Sequence, residues 1–166
     1  AFYPKGGGQE SDKGTLEIVG DQRRVKKVRK DRGKVLHYLD SVKGVSQGDR
    51  AKGRISWEQR YGNMRMHTAQ HLLSAIIKDM YGADTVGNQL YPDRARIDFA
   101  PLSRDELDTE AVESKFAEMV GEGPDVKIFE KGRDKLTSDE KVRVNMDLIP
   151  SSIKVLRAVE IDGYDI

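Results

Sequence analysis

The chain contains no cysteine. No disulfide can staple it, and no thiolate can serve as nucleophile or soft metal ligand. That composition fits a reducing compartment such as the cytoplasm. No apolar run approaches the roughly 20 residues that span a bilayer, and no signal-peptide pattern is present, so no membrane partner is expected. The opening Ala1-Phe2-Tyr3-Pro4 has no methionine, and the natural N-terminus is expected to lie upstream. There is no internal repeat and no low-complexity tract. Three common catalytic patterns are missing: the phosphate loop G-x-x-x-x-G-K-[ST], the nucleophile elbow G-x-S-x-G, and the metalloprotease helix H-E-x-x-H, where Thr68 stands in place of the glutamate base.

What is present fits a soluble globular protein. Its 166 residues, 37% hydrophobic and 34% charged, suffice for one good core or two small domains. The net charge of +1 hides an uneven distribution. Arg23 to Lys34 reads RRVKKVRKDRGK, and acids dominate from Asp105 to Asp125. The basic block either faces phosphates or is a solvated hairpin whose cations keep an edge strand from aggregating. Without interleaved aromatics it is a weak nucleic-acid signal.

Short strands with glycine turns fill the first third: Thr15–Val19, a hairpin around Asp31-Arg32-Gly33, and Arg54–Trp57. They predict a small β-barrel or curled sheet. A boundary is placed near Arg60-Tyr61-Gly62-Asn63, giving domains 1–62 and 63–166. Met64 to Tyr81 then carries helical periodicity, with Leu72, Leu73, Ile76, Ile77 and Met80 on one face, and Gly82 ends it. Strands are expected over Thr85–Leu90 and Arg94–Phe99. The capping box Ser103-Arg104-Asp105-Glu106 is expected to open a helix ending at Gly121. Val126–Phe129 and Ile153–Ile161 read as strands, and Thr137-Ser138-Asp139-Glu140 as the start of a short helix. The fold class is α+β, with a sandwich expected for the second domain.

Histidine is scarce: His37, His67 and His71 are all there are. His67 and His71 are four apart on the expected helix, side by side and away from its apolar stripe. Two imidazoles there can share a metal ion. Two ligands do not close a zinc site, so others must come from His37, from carboxylates or from outside this chain; the alternative is two exposed histidines with no ligand. Gly6-Gly7-Gly8-Gln9 lets a backbone approach a ligand closely, or is simply a flexible turn.

Taken together, Phe2-Tyr3-Pro4-Lys5-Gly6-Gly7-Gly8-Gln9 with Asp12-Lys13-Gly14, and Arg65-Met66-His67-Thr68-Ala69-Gln70-His71-Leu72-Leu73, resemble two motifs of the alanyl-tRNA editing proteins, F-Y-P-x-G-G-G-Q-x-x-D-x-G and R-x-H-T-A-x-H-L-L. Alanyl-tRNA synthetase carries the same signature. The resemblance implies a small N-terminal β-barrel followed by an α+β sandwich editing domain. It implies hydrolysis in trans of the ester joining serine or glycine to tRNA(Ala), by a zinc-dependent cytoplasmic hydrolase. His67 and His71 are the implied zinc ligands, and two more are expected beyond residue 166 from a C-x-x-x-H motif. Thr68 and Gln70, within a turn of the ligands, are candidate catalytic hydrogen-bonding groups. Gly6, Gly7, Gly8, Gln9 and Asn88 are candidate substrate-binding residues. Arg23, Arg24, Lys26, Lys27, Arg29 and Lys30 become a candidate tRNA-phosphate surface. The alternatives are a non-catalytic tRNA-binding module, or an editing fragment of a full alanyl-tRNA synthetase. Oligomeric state is not legible.

Overall fold

The computed structural model describes residues 1–139, 141–142, 146 and 149–165. Strands and helices mix, as α+β requires, in two compact units that are each discontinuous in sequence. The first holds Ala1–His67 and Thr85–Asp98; the second holds Thr68–Asp84 and the chain from Phe99 onward. Among the described residues no helix is long and apolar enough to cross a membrane.

The first unit is built on an antiparallel sheet of β1 (Gly14–Ile18), β2 (Asp21–Asp31), β3 (Lys34–Leu39) and β4 (Ala51–Ile55), in the order β3-β2-β1-β4. The sheet is open: β3 and β4 are its two edges among the described residues, and no closed barrel is found. The turn between β2 and β3 consists of Arg32 and Gly33, both at positive φ, the two-residue geometry that matches strand twist. Val25 and Val28 both point inward although three residues apart, an odd spacing that strict alternation forbids. A register shift between Val25 and Lys27 absorbs the extra residue and turns Val28 back to the core. There the two valines pack with Phe2, Leu16, Leu39 and Ile55. His37 stands edge-on to Phe2, with ring centroids 5.3 Å apart and planes at 89°. It belongs to this packing, and no group of three or more metal-ligating residues occurs among the described residues.

Helix α1 spans Trp57–Tyr81, about two turns longer at its N-terminal end than the periodicity of its apolar face predicts. The expected strand Arg54–Trp57 gives way at Ile55. Ser56-Trp57-Glu58-Gln59 is itself an S-x-x-Q helix start, and Arg60 N–H bonds the Ser56 carbonyl at 3.0 Å. Gly62 lies inside this helix for a packing reason. A Cβ there would sit 2.8 Å from Pro92 Cβ and 2.9 Å from Pro92 O, so only glycine lets the turn after β5 (Asp84–Leu90) press against the helix. β5 pairs with β6 (Ala95–Ala100) across that turn.

In the second unit, Leu72, Ile76 and Ile77 of α1 pack with Ala83, Val112, Met119 and Ile161. Val112 and Met119 come from α2 (Thr109–Glu122). The Ser103 box forms, with Ser103 N–H donating to Glu106 at 2.8 Å, which holds the Glu106 carboxyl below its usual range. It heads only a 3-10 turn over Arg104–Glu106, however. Asp108 then caps α2 by accepting from Ala111 N–H at 3.0 Å, and Gly123, not Gly121, ends it at φ 64°. β7 (Val126–Gly132) and β8 (Val155–Ile161) form an antiparallel pair. The short α3 (Arg133–Thr137) ends where the sequence predicts a helix to begin; Glu140, the last residue of that expectation, lies outside the described residues.

Candidate functional site

The glycine motif is held, not loose. Lys5 N–H donates to Val28 O at 3.1 Å, Gly6 and Gln9 exchange backbone hydrogen bonds, and Leu90 N–H donates to Gly8 O at 2.9 Å. Residues 6–9 are thereby stitched between the sheet and β5. Gly8, at φ +76°, is pressed against Asn88: a Cβ on Gly8 would lie 1.9 Å from Asn88 Oδ1. A Cβ on Gly7 would lie 3.6 Å from His67 Cε1. The proposed substrate residues Gly7, Gly8, Gln9 and Asn88 are therefore brought together inside the first unit. Gly8→Ala faces both the left-handed backbone penalty and the collision with Asn88. It should cost about 2–4 kcal/mol, read as a lowered urea midpoint. Gly8→Ala combined with Asn88→Gly should recover the collision share only.

His67 and His71 sit one turn apart on the continuous α1. Each ring is held through Nδ1 by a partner in its own unit. His67 Nδ1–H donates to the buried Gln9 Oε1 at 2.9 Å. His71 Nδ1–H donates to Asp165 Oδ2 at 2.5 Å, and Asp165 is 2% exposed. A hydrogen bond of this kind sets the tautomer and aims Nε2, the arrangement that metal-ligating histidines use. Imidazole nitrogen is a common zinc donor, and each ring is held at Nδ1 in the tautomer that leaves Nε2 as the acceptor.

The other candidates are placed as follows. Thr68 is half-buried; Gln70 is 5% exposed and donates through Nε2 to Ser74 Oγ at 2.9 Å. On β2, Arg24, Lys26, Arg29 and Lys30 are exposed and Lys27 is partly covered. Arg23 is committed to the fold, donating to Asp21 at 3.0 Å and to Lys43 O at 2.8 Å. β2 is an inner strand, so its cations do not guard a sheet edge.

Two features escape sequence reasoning. Asp165, 94 positions from His71, leaves no local signal. The last acid of the glycine signature, Asp12, is 1% exposed. It accepts from Tyr3 N–H at 2.7 Å and from Arg60 Nε at 2.9 and 3.1 Å, with Arg60 Nη2 closer still. The Asp12 hydrogen bond pushes the Arg60 guanidinium above its ordinary pKa, and burial, then the Asp12 charge, push the Tyr3 phenol up. Asp12 thus anchors the segment that presents the glycines.

The chain is 37% identical to the alanyl-tRNA editing protein AlaX-M of Methanosarcina barkeri, over 99% of its own length and 70% of that protein's. The chain belongs to the alanyl-tRNA editing protein family. It is also 29% identical to AlaX-L of Pyrococcus horikoshii, covering 40% of it, and 33% identical to the alanine–tRNA ligase of Ignicoccus hospitalis, covering 18% of it. No protein-family model matches the chain.

Proposed function

We propose that this chain acts in trans on tRNA(Ala) carrying a wrong amino acid, serine or glycine, and hydrolyses the aminoacyl ester. The observations that carry this are the Nδ1 anchoring of each histidine and, within the first unit, a glycine segment docked on Asn88 with Gly7 against His67. His67 and His71 would hold zinc, which would supply Lewis acidity to the ester carbonyl, to a water or to the substrate's polar groups. Gln9 and Asp165 keep the two rings in one tautomer and orientation. The glycines at 7 and 8 let the loop backbone approach Asn88 and His67 closely, and their amides are suited to bind substrate oxygen atoms. Asn88, docked against Gly8, reads the substrate side chain in the case of serine, whose hydroxyl offers a hydrogen bond that the alanine methyl cannot. Thr68 supplies a hydroxyl near the ligands. The role of Gln70 is narrower, since its amide is already turned to Ser74.

The test is direct. Seryl-tRNA(Ala) mixed with the protein and zinc should lose serine faster than seryl-tRNA(Ala) alone. An ester left intact would overturn the proposal.

The exposed cations of β2 contact tRNA phosphates in this reading. Each neutralised phosphate contact should lower the slope of log affinity against log salt by about 1. The double variant Arg29→Ala/Lys30→Ala should therefore lose about 2 from the slope. Arg23→Ala should act on stability and leave the slope unchanged. A filter-binding salt series separates the two.

A further inference from the structure

The exposed start of α1 carries a feature that the deacylation chemistry does not use. Trp57, the single tryptophan of the chain, is 60% exposed, and Tyr61, one turn on, is 51% exposed. Their rings are stacked, with centroids 6.0 Å apart and planes 20° from parallel. Arg65, one turn further, places its guanidinium carbon 6.0 Å from the Tyr61 ring centre. Large aromatics normally enter a core or an interface, because leaving one in water forfeits its burial energy. Here two share one exposed helical stripe with a cation at its end, all within the first unit.

The charge of the segment that leads into the stripe points to its occupant. Between Arg50 and Arg65 there are five basic residues (Arg50, Lys52, Arg54, Arg60 and Arg65) and one acid, Glu58. Arg60 is engaged by Asp12, whereas Lys52, Arg54 and Arg65 are exposed. A protein partner recognised by apolar contact needs no such excess of positive charge. A polyanion whose units each carry a flat π face needs both parts: aromatics to stack on and cations along its backbone. Paired bases in a duplex hide those faces, so the fit is to unpaired nucleotides.

We infer that Trp57, Tyr61 and Arg65 form a stacking platform for unpaired nucleotides at the 3′ end of the tRNA substrate. This inference rests on the editing function proposed above and names where its substrate's single strand lies. The length agrees. Ten helical residues from Trp57 to His67 rise about 15 Å, the span of roughly four stacked nucleotides at about 3.4 Å each. A strand stacked at Trp57 thus spans the rise to His67. Since His67 lies about 80° around the helix from Trp57 and about 120° from Tyr61, the strand crosses α1 to bring its terminal ester there.

The lone tryptophan makes the test direct. A single-stranded RNA oligonucleotide of the tRNA 3′-terminal sequence, titrated into the full chain, should quench Trp57 fluorescence. A blunt duplex of equal charge should not. By fluorescence anisotropy of the labelled oligonucleotide, Trp57→Ala and Tyr61→Ala should each weaken binding about 5- to 150-fold. Trp57→Phe should retain most of it. Both alanine variants alter exposed side chains, and circular dichroism should show the helix unchanged. Equal quenching by duplex, or wild-type affinity in Trp57→Ala, overturns the inference. So does a concentration-dependent dimer that Trp57→Ala dissolves, since the aromatics would then serve self-association. Failure of the editing reading looks different: the strand would bind and quench, and seryl-tRNA(Ala) would keep its serine.

Discussion

His67→Ala should remove serine release from mischarged tRNA(Ala) and should weaken zinc binding by about 100-fold or more, if the proposed site is right. That factor is the upper end of what loss of a partner behind a ligand costs, and here the ligand itself is gone. The substitution is well suited to the question. His67 lies inside a 25-residue helix, and alanine is the best helix former, so α1 should persist. Chelator competition reads zinc affinity without reference to turnover. The partners supply graded controls. Gln9→Ala and Asp165→Asn leave both imidazoles in place but remove the acceptor that sets each tautomer. Each should cost about 10- to 100-fold in zinc affinity or rate. A His67→Ala protein with wild-type zinc affinity and wild-type deacylation would remove the histidine pair from the mechanism.

The second large effect is on stability. Asp12→Ala should destabilise the first unit by about 3 kcal/mol. Removing one partner of a buried pair costs about 3–5 kcal/mol, and the lower end applies because the Arg60 side chain keeps 21% of its exposure. The carboxylate holds both the Tyr3 backbone and the Arg60 fork, so its loss strands two donors at once. Asp12→Asn keeps an acceptor for Tyr3 N–H and should lose less. Urea denaturation followed by Trp57 fluorescence reports on the unit that contains both residues. The midpoint should fall with little change in slope. An unshifted midpoint would mean that this ion pair behaves like an exposed one, worth almost nothing.

The readable parts of the sequence were those with a local cause. The histidine pair follows from the helical repeat alone, and the β2–β3 hairpin from Asp31-Arg32-Gly33. Local rules misled where two of them competed. Gly62 reads as a break, yet it belongs to a helix whose start, Ser56-Trp57-Glu58-Gln59, was in plain view; close approach of Pro92 explains the glycine. Ser103 and Asp108 are both good caps, and the one nearer the apolar stripe of α2 opened the helix. Val25 and Val28 fit neither alternation nor a helix until the bulge is known. The site's supports were illegible for a different reason. Gln9 with His67, Gly8 with Asn88 and Asp165 with His71 join positions 58 or more apart, and no window of sequence contains both members. The basic run on β2 was weak evidence for RNA because it lacks aromatics, while Trp57 and Tyr61 stood further along, on α1.

The stitching of residues 6–9 to Leu90 has a consequence for biosynthesis. On a ribosome adding about 5–20 residues per second, Gln9 emerges roughly 4–16 s before Leu90 does. For that interval the glycines have no strand to dock on and His67 lacks its final surroundings. Such distant pairings close late, after their entropic cost has been met by nearer ones. The nascent chain therefore passes through a stage in which the β1–β2–β3 meander can already be formed while the glycine segment is still undocked, so the proposed site is completed among the later events of maturation.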